Sequence, residues 1–117
     1  MRSIELISVP VTDQQRSKEF YQKMGLQLVV EQPFGKDQLW IQLKFPEGQT
    51  SITLVNWFEK MPAGCLQAVT ILTDSIEDDR ARLTANGVSV GKTDETPWGK
   101  FASVADPDGN LWVLHQE

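Results

Sequence analysis

Few side chains in this sequence can carry chemistry. Among 117 residues there is one histidine, His115, and one cysteine, Cys65. Histidine is the side-chain type suited to proton transfer near neutral pH, so His115 is the candidate general base if it faces a cavity. Cys65 sits in an apolar stretch with no adjacent His or basic partner to activate it, and it reads as a buried small hydrophobe. No carboxylate spacing pairs a general acid with a base. Asp106 and Asp108 belong to Asp106-Pro107-Asp108-Gly109-Asn110, where they read as turn formers. The tryptophans Trp40, Trp57, Trp98 and Trp112 offer faces for stacking and for cation–π contact.

The composition narrows the partners. Net charge is -5 and no Lys/Arg cluster rises above scattered singles, so a nucleic-acid backbone is not an expected partner. The acidic balance mildly favours cationic ligands. No apolar run is long enough for a membrane span, and the first residues lack the apolar core and cleavage site of a signal peptide. With a single cysteine and no export signal, the expected location is cytoplasmic.

The elements that must position these residues come in two copies. Asp106-Pro107-Asp108-Gly109-Asn110 precedes Leu111-Trp112-Val113-Leu114, and 61 residues earlier Pro46-Glu47-Gly48-Gln49 precedes Ser51-Ile52-Thr53-Leu54-Val55. Thr12-Asp13 maps onto Thr73-Asp74, and Gly25-Leu26 onto Gly87-Val88. Markers in matching order at nearly one period indicate a duplicated unit of about 60 residues. Each unit reads β-α-β-β-β. In the first, strands are predicted over 4–11, 26–30, 39–45 and 51–55, with a helix from Thr12, capped toward Gln15, to Met24. Pro33-Phe34-Gly35 is read as a strand break. In the second, strands are predicted over 66–72, 88–90, 100–105 and 111–115, with a helix from Asp74-Ser75 to Asn86 and a polar loop over 93–99. One domain over 1–117 is expected, with modules at about 1–56 and 64–117 and a linker at about 57–63. Units this small are marginal alone, so the halves must pack on each other or on a second chain.

The paired β-α-β-β-β units resemble the vicinal oxygen chelate superfamily, which includes glyoxalase I, extradiol dioxygenases and bleomycin resistance proteins. The residues that carry the resemblance are Val11-Thr12-Asp13, Phe20-Tyr21, Gly25-Leu26 and Asp106 to Asn110. It implies an α+β fold of two tandem βαβββ modules whose mixed sheet curls around a cup-shaped cavity, with the helices on the outer face. In the family's metalloenzymes four inward side chains hold a divalent ion. Carried over, those positions fall on Leu6, Thr53, Gln67 and Val113. Leu6 and Val113 have no donor atom, Thr53 offers a weak neutral oxygen, and Gln67 is insufficient alone, so no metal and no cofactor are expected. Glu5 and His115 lie one and two positions from ligand places but do not rebuild a set of four.

If the family's ligand positions face the cavity, alternation places Leu6, Ser8, Thr53, Val55, Gln67, Val69, Val113 and His115 there. Ile7, Val9, Val11, Ile52, Leu54, Ala68, Leu72, Trp112 and Leu114 then pack under the helices. Trp40 and Gln42 correspond to Phe101 and Ser103 on the middle strands, with their parity open, and Trp40 is either core or cavity wall. Trp57 and Trp98 fall on loops, at the rim of the opening or at a subunit interface. The expected ligand-binding set is Ser8, Trp40, Gln42, Thr53, Trp57, Gln67, Trp98, Phe101, Ser103 and His115.

This set points to a small-molecule binding protein resembling the metal-free bleomycin-resistance branch, holding an aromatic or cationic compound. The alternatives are a lyase, isomerase or dioxygenase relative that uses a displaced metal or His115 as base, and an interaction module with a vestigial cavity. A homodimer is expected in each case, since the apolar segment Trp57 to Pro62 offers surface to bury.

Overall fold

The computed structural model describes residues 1–117. The first module runs β1 (Leu6–Pro10), α1 (Gln14–Met24), β2 (Gln27–Phe34), β3 (Gln38–Lys44) and β4 (Ser51–Val55). The second runs β5 (Val69–Leu72), α2 (Ile76–Ala85), β6 (Asp94–Thr96), β7 (Gly99–Ala105) and β8 (Leu111–Gln116). Each forms a four-stranded sheet, ordered β1-β4-β3-β2 and β5-β8-β7-β6. The first strand pairs parallel with the last and the remaining pairs are antiparallel. The α+β class and the tandem arrangement hold. The two sheets do not close into one cup.

The core explains why. Ile7 pairs with Ile52 and Val9 with Leu54, and these residues line one face of the first sheet. Val69 pairs with Trp112 and Ile71 with Leu114 on the matching face of the second. Val9, Ile52, Leu54, Trp112 and Leu114 join Tyr21 and Met24 of α1 and Ile76 and Leu83 of α2 in a single buried cluster. The apolar faces of both sheets therefore meet around the helices in the middle of the chain, and the other two faces turn outward. The molecule is elongated, 48 × 35 × 25 Å, with a radius of gyration of 14.5 Å. A compact chain of this length comes to about 13 Å.

Local chemistry sets the helix ends. Asp13, not Thr12, caps α1, its side chain accepting from the Arg16 N–H. Gly25 closes it in the left-handed conformation at φ 112°. Ser75 caps α2 by accepting from the Asp78 N–H, and Glu77, Asp78 and Asp79 place negative charge at its positive end. Ser17, on the buried face of α1, is fully buried, and its hydroxyl has no hydrogen-bond partner. Ser17→Ala removes that orphan and improves helix propensity, so stability is expected to rise by about 1 kcal/mol. A higher urea midpoint at unchanged m-value checks this.

Four local expectations are corrected. The second strand runs through Pro33 to Phe34, because β2 is an edge strand, where a missing N–H costs no ladder bond. No strand forms at 88–90. The Arg80 guanidinium takes the carbonyls of Val90 (3.3 Å) and Gly91 (2.6 Å), which a ladder would need, and pairing is taken up at 94–96 in the predicted loop. The strand predicted from Leu66 starts at Val69, because Ala68 adopts φ 60° and interrupts the extended run. Cys65 is exposed rather than buried.

Candidate functional site

The outward faces of the two sheets carry most of the predicted residues, as two separate groups. On the first sheet Ser8, Thr53 and Gln42 stand side by side in register across β1, β4 and β3. Ile52 and Leu54 belong to the core, so the side chains of this row point away from it. Trp40 lies two places along on the same face and donates its indole N–H to Gln42 Oε1 at 3.1 Å. Trp40 is thus a wall of the outward face, not core. Phe34 shares this face. Its ring meets Trp40 edge-on at 5.5 Å and Trp57 at 5.0 Å, and Trp57 contacts Phe58 at 5.9 Å. Phe34 and Phe58 were not in the predicted set. Period-two alternation carried through Pro33 places Phe34 beside Trp40, so that signal was present for Phe34.

On the second sheet Phe101 pairs with His115 and Ser103 with Val113. The Phe101 and His115 rings stack at 4.5 Å, only 7° from parallel. His115 Nε2 lies 3.0 Å from the Trp98 carbonyl. A carbonyl can only accept, so Nε2 carries the proton and Nδ1 of the neutral ring is left as an acceptor. Gly99 makes this approach possible: a Cβ there would lie 2.9 Å from His115 Nε2 and 2.3 Å from the Gln116 carbonyl. Trp98 is 77 % exposed at the tip of the β6–β7 turn.

Two residues stand elsewhere. Val69 packs against the core, and Gln67 is exposed ahead of β5. The left-handed Ala68 shifts the alternation by one, so Thr70 and Leu72 rather than Val69 share the face of Val113 and His115. Leu72 is accordingly exposed, not under a helix.

The centres of both faces are uncharged. Lys44, at the end of β3, and Asp94, on the edge strand β6, are the nearest charged residues of the same parity. Glu31, on the other face of β2, is held below the usual carboxylate range by hydrogen bonds from Lys18 (2.8 Å) and Gln15 (3.0 Å). A divalent metal does not fit this donor set. Leu6, Thr53, Gln67 and Val113 supply no charged or imidazole ligand, and no three His, Cys, Asp or Glu side chains gather anywhere in the chain.

The modules are clasped together by a buried polar network. Asp106 accepts from the Asp108 and Asn110 N–H groups through Oδ1, and from Tyr21 Oη (2.7 Å) and Asn110 Nδ2 (2.8 Å) through Oδ2. Trp112 Nε1 donates to Tyr21 Oη at 2.9 Å, and Asn110 Nδ2 reaches the Pro10 carbonyl at 2.8 Å. Burial first, then the Asp106 charge, pushes the Tyr21 phenol well above its ordinary range. A groove of about 950 Å³ opens at the seam between the modules. It is lined by Ile4, Ile7, Val69, Ile71 and Leu72 among others; of the residues predicted to face the cavity it holds only Val69, and it holds none of the expected ligand-binding set.

Known proteins share this arrangement. The chain is 41% identical to TnmS3, an antibiotic binding protein from Streptomyces sp. CB03234, with a TM-score of 0.92 over 99% of this chain and 96% of that one. It is 43% identical to a glyoxalase/bleomycin resistance protein from the same organism, with a TM-score of 0.87 over 97% of this chain and 100% of that one. It is 28% identical to the uncharacterized protein YetH of Bacillus subtilis (strain 168), over 99% of each chain. Residues 3–114 match one family model, and the chain belongs to the Glyoxalase/Bleomycin resistance protein/Dioxygenase superfamily.

Proposed function

We propose that this protein binds a flat, largely apolar organic molecule without a metal, and that each site is completed by a second copy of the chain. The observation that carries the reading is the pair of outward faces, walled by aromatic rings and uncharged at their centres. Such a lining suits stacking and a few orienting hydrogen bonds. The similarity to an antibiotic binding protein over nearly the whole chain supports it.

Within one chain the two half-sites point away from each other, so a closed cavity needs the first sheet of one chain opposite the second sheet of another. The unpaired edges of β1 and β5 and the apolar seam beside them supply the surface that a second copy covers. Cytoplasmic location accords with this role and remains part of the same proposal.

Titration with 2-naphthol, followed by tryptophan fluorescence, tests the reading. Quenching that saturates at one site per half-dimer is expected, with Trp40→Ala weakening it by about tenfold. No saturable quenching by 2-naphthol or by the cation N-methylquinolinium would sink the proposal. Mixing Trp40→Ala with Phe101→Ala chains tests the shared site, because a heterodimer then holds one intact and one doubly damaged site. Recovery of tight binding is expected only if the sites are shared between chains.

A second reading, catalysis with His115 as base, draws on its free Nδ1. It is abandoned if His115→Ala leaves every detected turnover unchanged.

A further inference from the structure

We infer that Thr53 is the specificity-determining residue of the site, and that its hydroxyl is reserved for a neutral hydroxyl or carbonyl group on the ligand's edge. The inference rests on the proposed binding role and adds the chemical class of the ligand.

Thr53 lies at the centre of β4, between Ser8 on β1 and Gln42 on β3. It points to the outward face, is only 1 % exposed, and its Oγ1 has no hydrogen-bond partner. Buried polar groups are almost always partnered, so an orphan hydroxyl at the middle of a candidate site needs a reason. Neither register neighbour satisfies it: Ser8 makes no hydrogen bond to it, and Gln42 Oε1 accepts from the Trp40 indole. In a purely structural role valine would fill the same volume at no desolvation cost. A ligand group that displaces the Trp40 indole from Gln42 meets both a free amide oxygen and the Thr53 hydroxyl, which can donate or accept.

The charge of that ligand group follows from its surroundings. No ionised side chain shares the row of Ser8, Thr53 and Gln42. A charged group placed there would be desolvated without a counter-ion, which costs more than a neutral hydrogen bond returns. The ligand class is therefore a flat, neutral aromatic compound with a hydroxyl or carbonyl at its rim, rather than a cation.

The test uses 2-naphthol and naphthalene, which differ by one hydroxyl, titrated by calorimetry into the full-length protein. The wild type is expected to prefer 2-naphthol by about tenfold. Thr53→Val is expected to erase that preference while leaving naphthalene affinity in place, and to raise Tm by about 2–6 °C by removing the orphan hydroxyl. Thr53→Ser keeps the preference. Opposite signs on stability and affinity separate a ligand contact from a merely structural residue, whose removal lowers both. An unchanged preference in Thr53→Val overturns the inference while leaving the binding role intact. Failure of both compounds to bind the wild type overturns the binding role, and the inference with it.

Discussion

Asp106→Ala is expected to lower stability by about 3–5 kcal/mol, the largest effect of any single side-chain truncation proposed for this protein. Asp106 is 5 % exposed and accepts from four groups, two in its own turn, the Asn110 amide, and Tyr21 of the other module. Truncation leaves the Tyr21 hydroxyl proton and two buried N–H groups without an acceptor. Orphaned donors each cost about 1–3 kcal/mol, and together they loosen the clasp between the modules. Chemical unfolding measures the loss. Asp108→Ala is the comparison: its carboxylate is 6 % exposed and accepts from the Thr12 N–H and hydroxyl, but Thr12 and Arg16 are exposed and regain water, so a smaller loss of about 1–2 kcal/mol is expected. Equal losses in the two variants would refute the role given to Asp106.

The same network sets the alkaline limit. The Tyr21 phenol is raised above its ordinary value of 10 in the folded state. Below pH 10 both states hold the proton and the contribution is constant. Above it the unfolded chain ionises while the folded chain does not, so stability falls by about 1.4 kcal/mol per pH unit. Tyr21→Phe is expected to remove this slope, seen as a flatter dependence of the urea midpoint on pH above 10.

Gly64→Ala is expected to cost about 3 kcal/mol. Gly64 ends the segment between the modules at φ +84°, where its N–H donates to the Pro10 carbonyl at 3.2 Å. An added Cβ would lie 2.1 Å from the Asp108 carbonyl oxygen, which is backbone and cannot swing away. Conformational strain of about 1 kcal/mol and overpacking of about 1–3 kcal/mol both act. Gly109→Ala separates them. Gly109 has φ +93° but nothing within 4 Å of its Cβ position, so only the conformational part, about 1 kcal/mol, is expected. A thermal melt of the two variants side by side gives the difference.

The amino-acid sequence by itself determined the duplicated βαβββ unit, the helices, the turn at Asp106 to Asn110 and the family. These follow from local chemistry: alternating apolar residues, caps, and Pro-Asp-Gly turns act within a few neighbours.

Only the tertiary structure decided the rest. Whether Val69 or Thr70 faces outward turned on a positive φ at Ala68, which its residue type does not announce. Pairing moved from 88–90 to 94–96 because Arg80, on a helix, reaches the carbonyls of Val90 and Gly91. Asp106 looked like a turn former and is one, but its second oxygen joins the modules through Tyr21, 85 residues away. The orphan hydroxyl of Thr53 shows only in the packed sheet, where neither Ser8 nor Gln42 beside it takes up its hydrogen bond. Each is a contact between distant segments, and such contacts depend on where packing places the elements rather than on the pattern within any one of them.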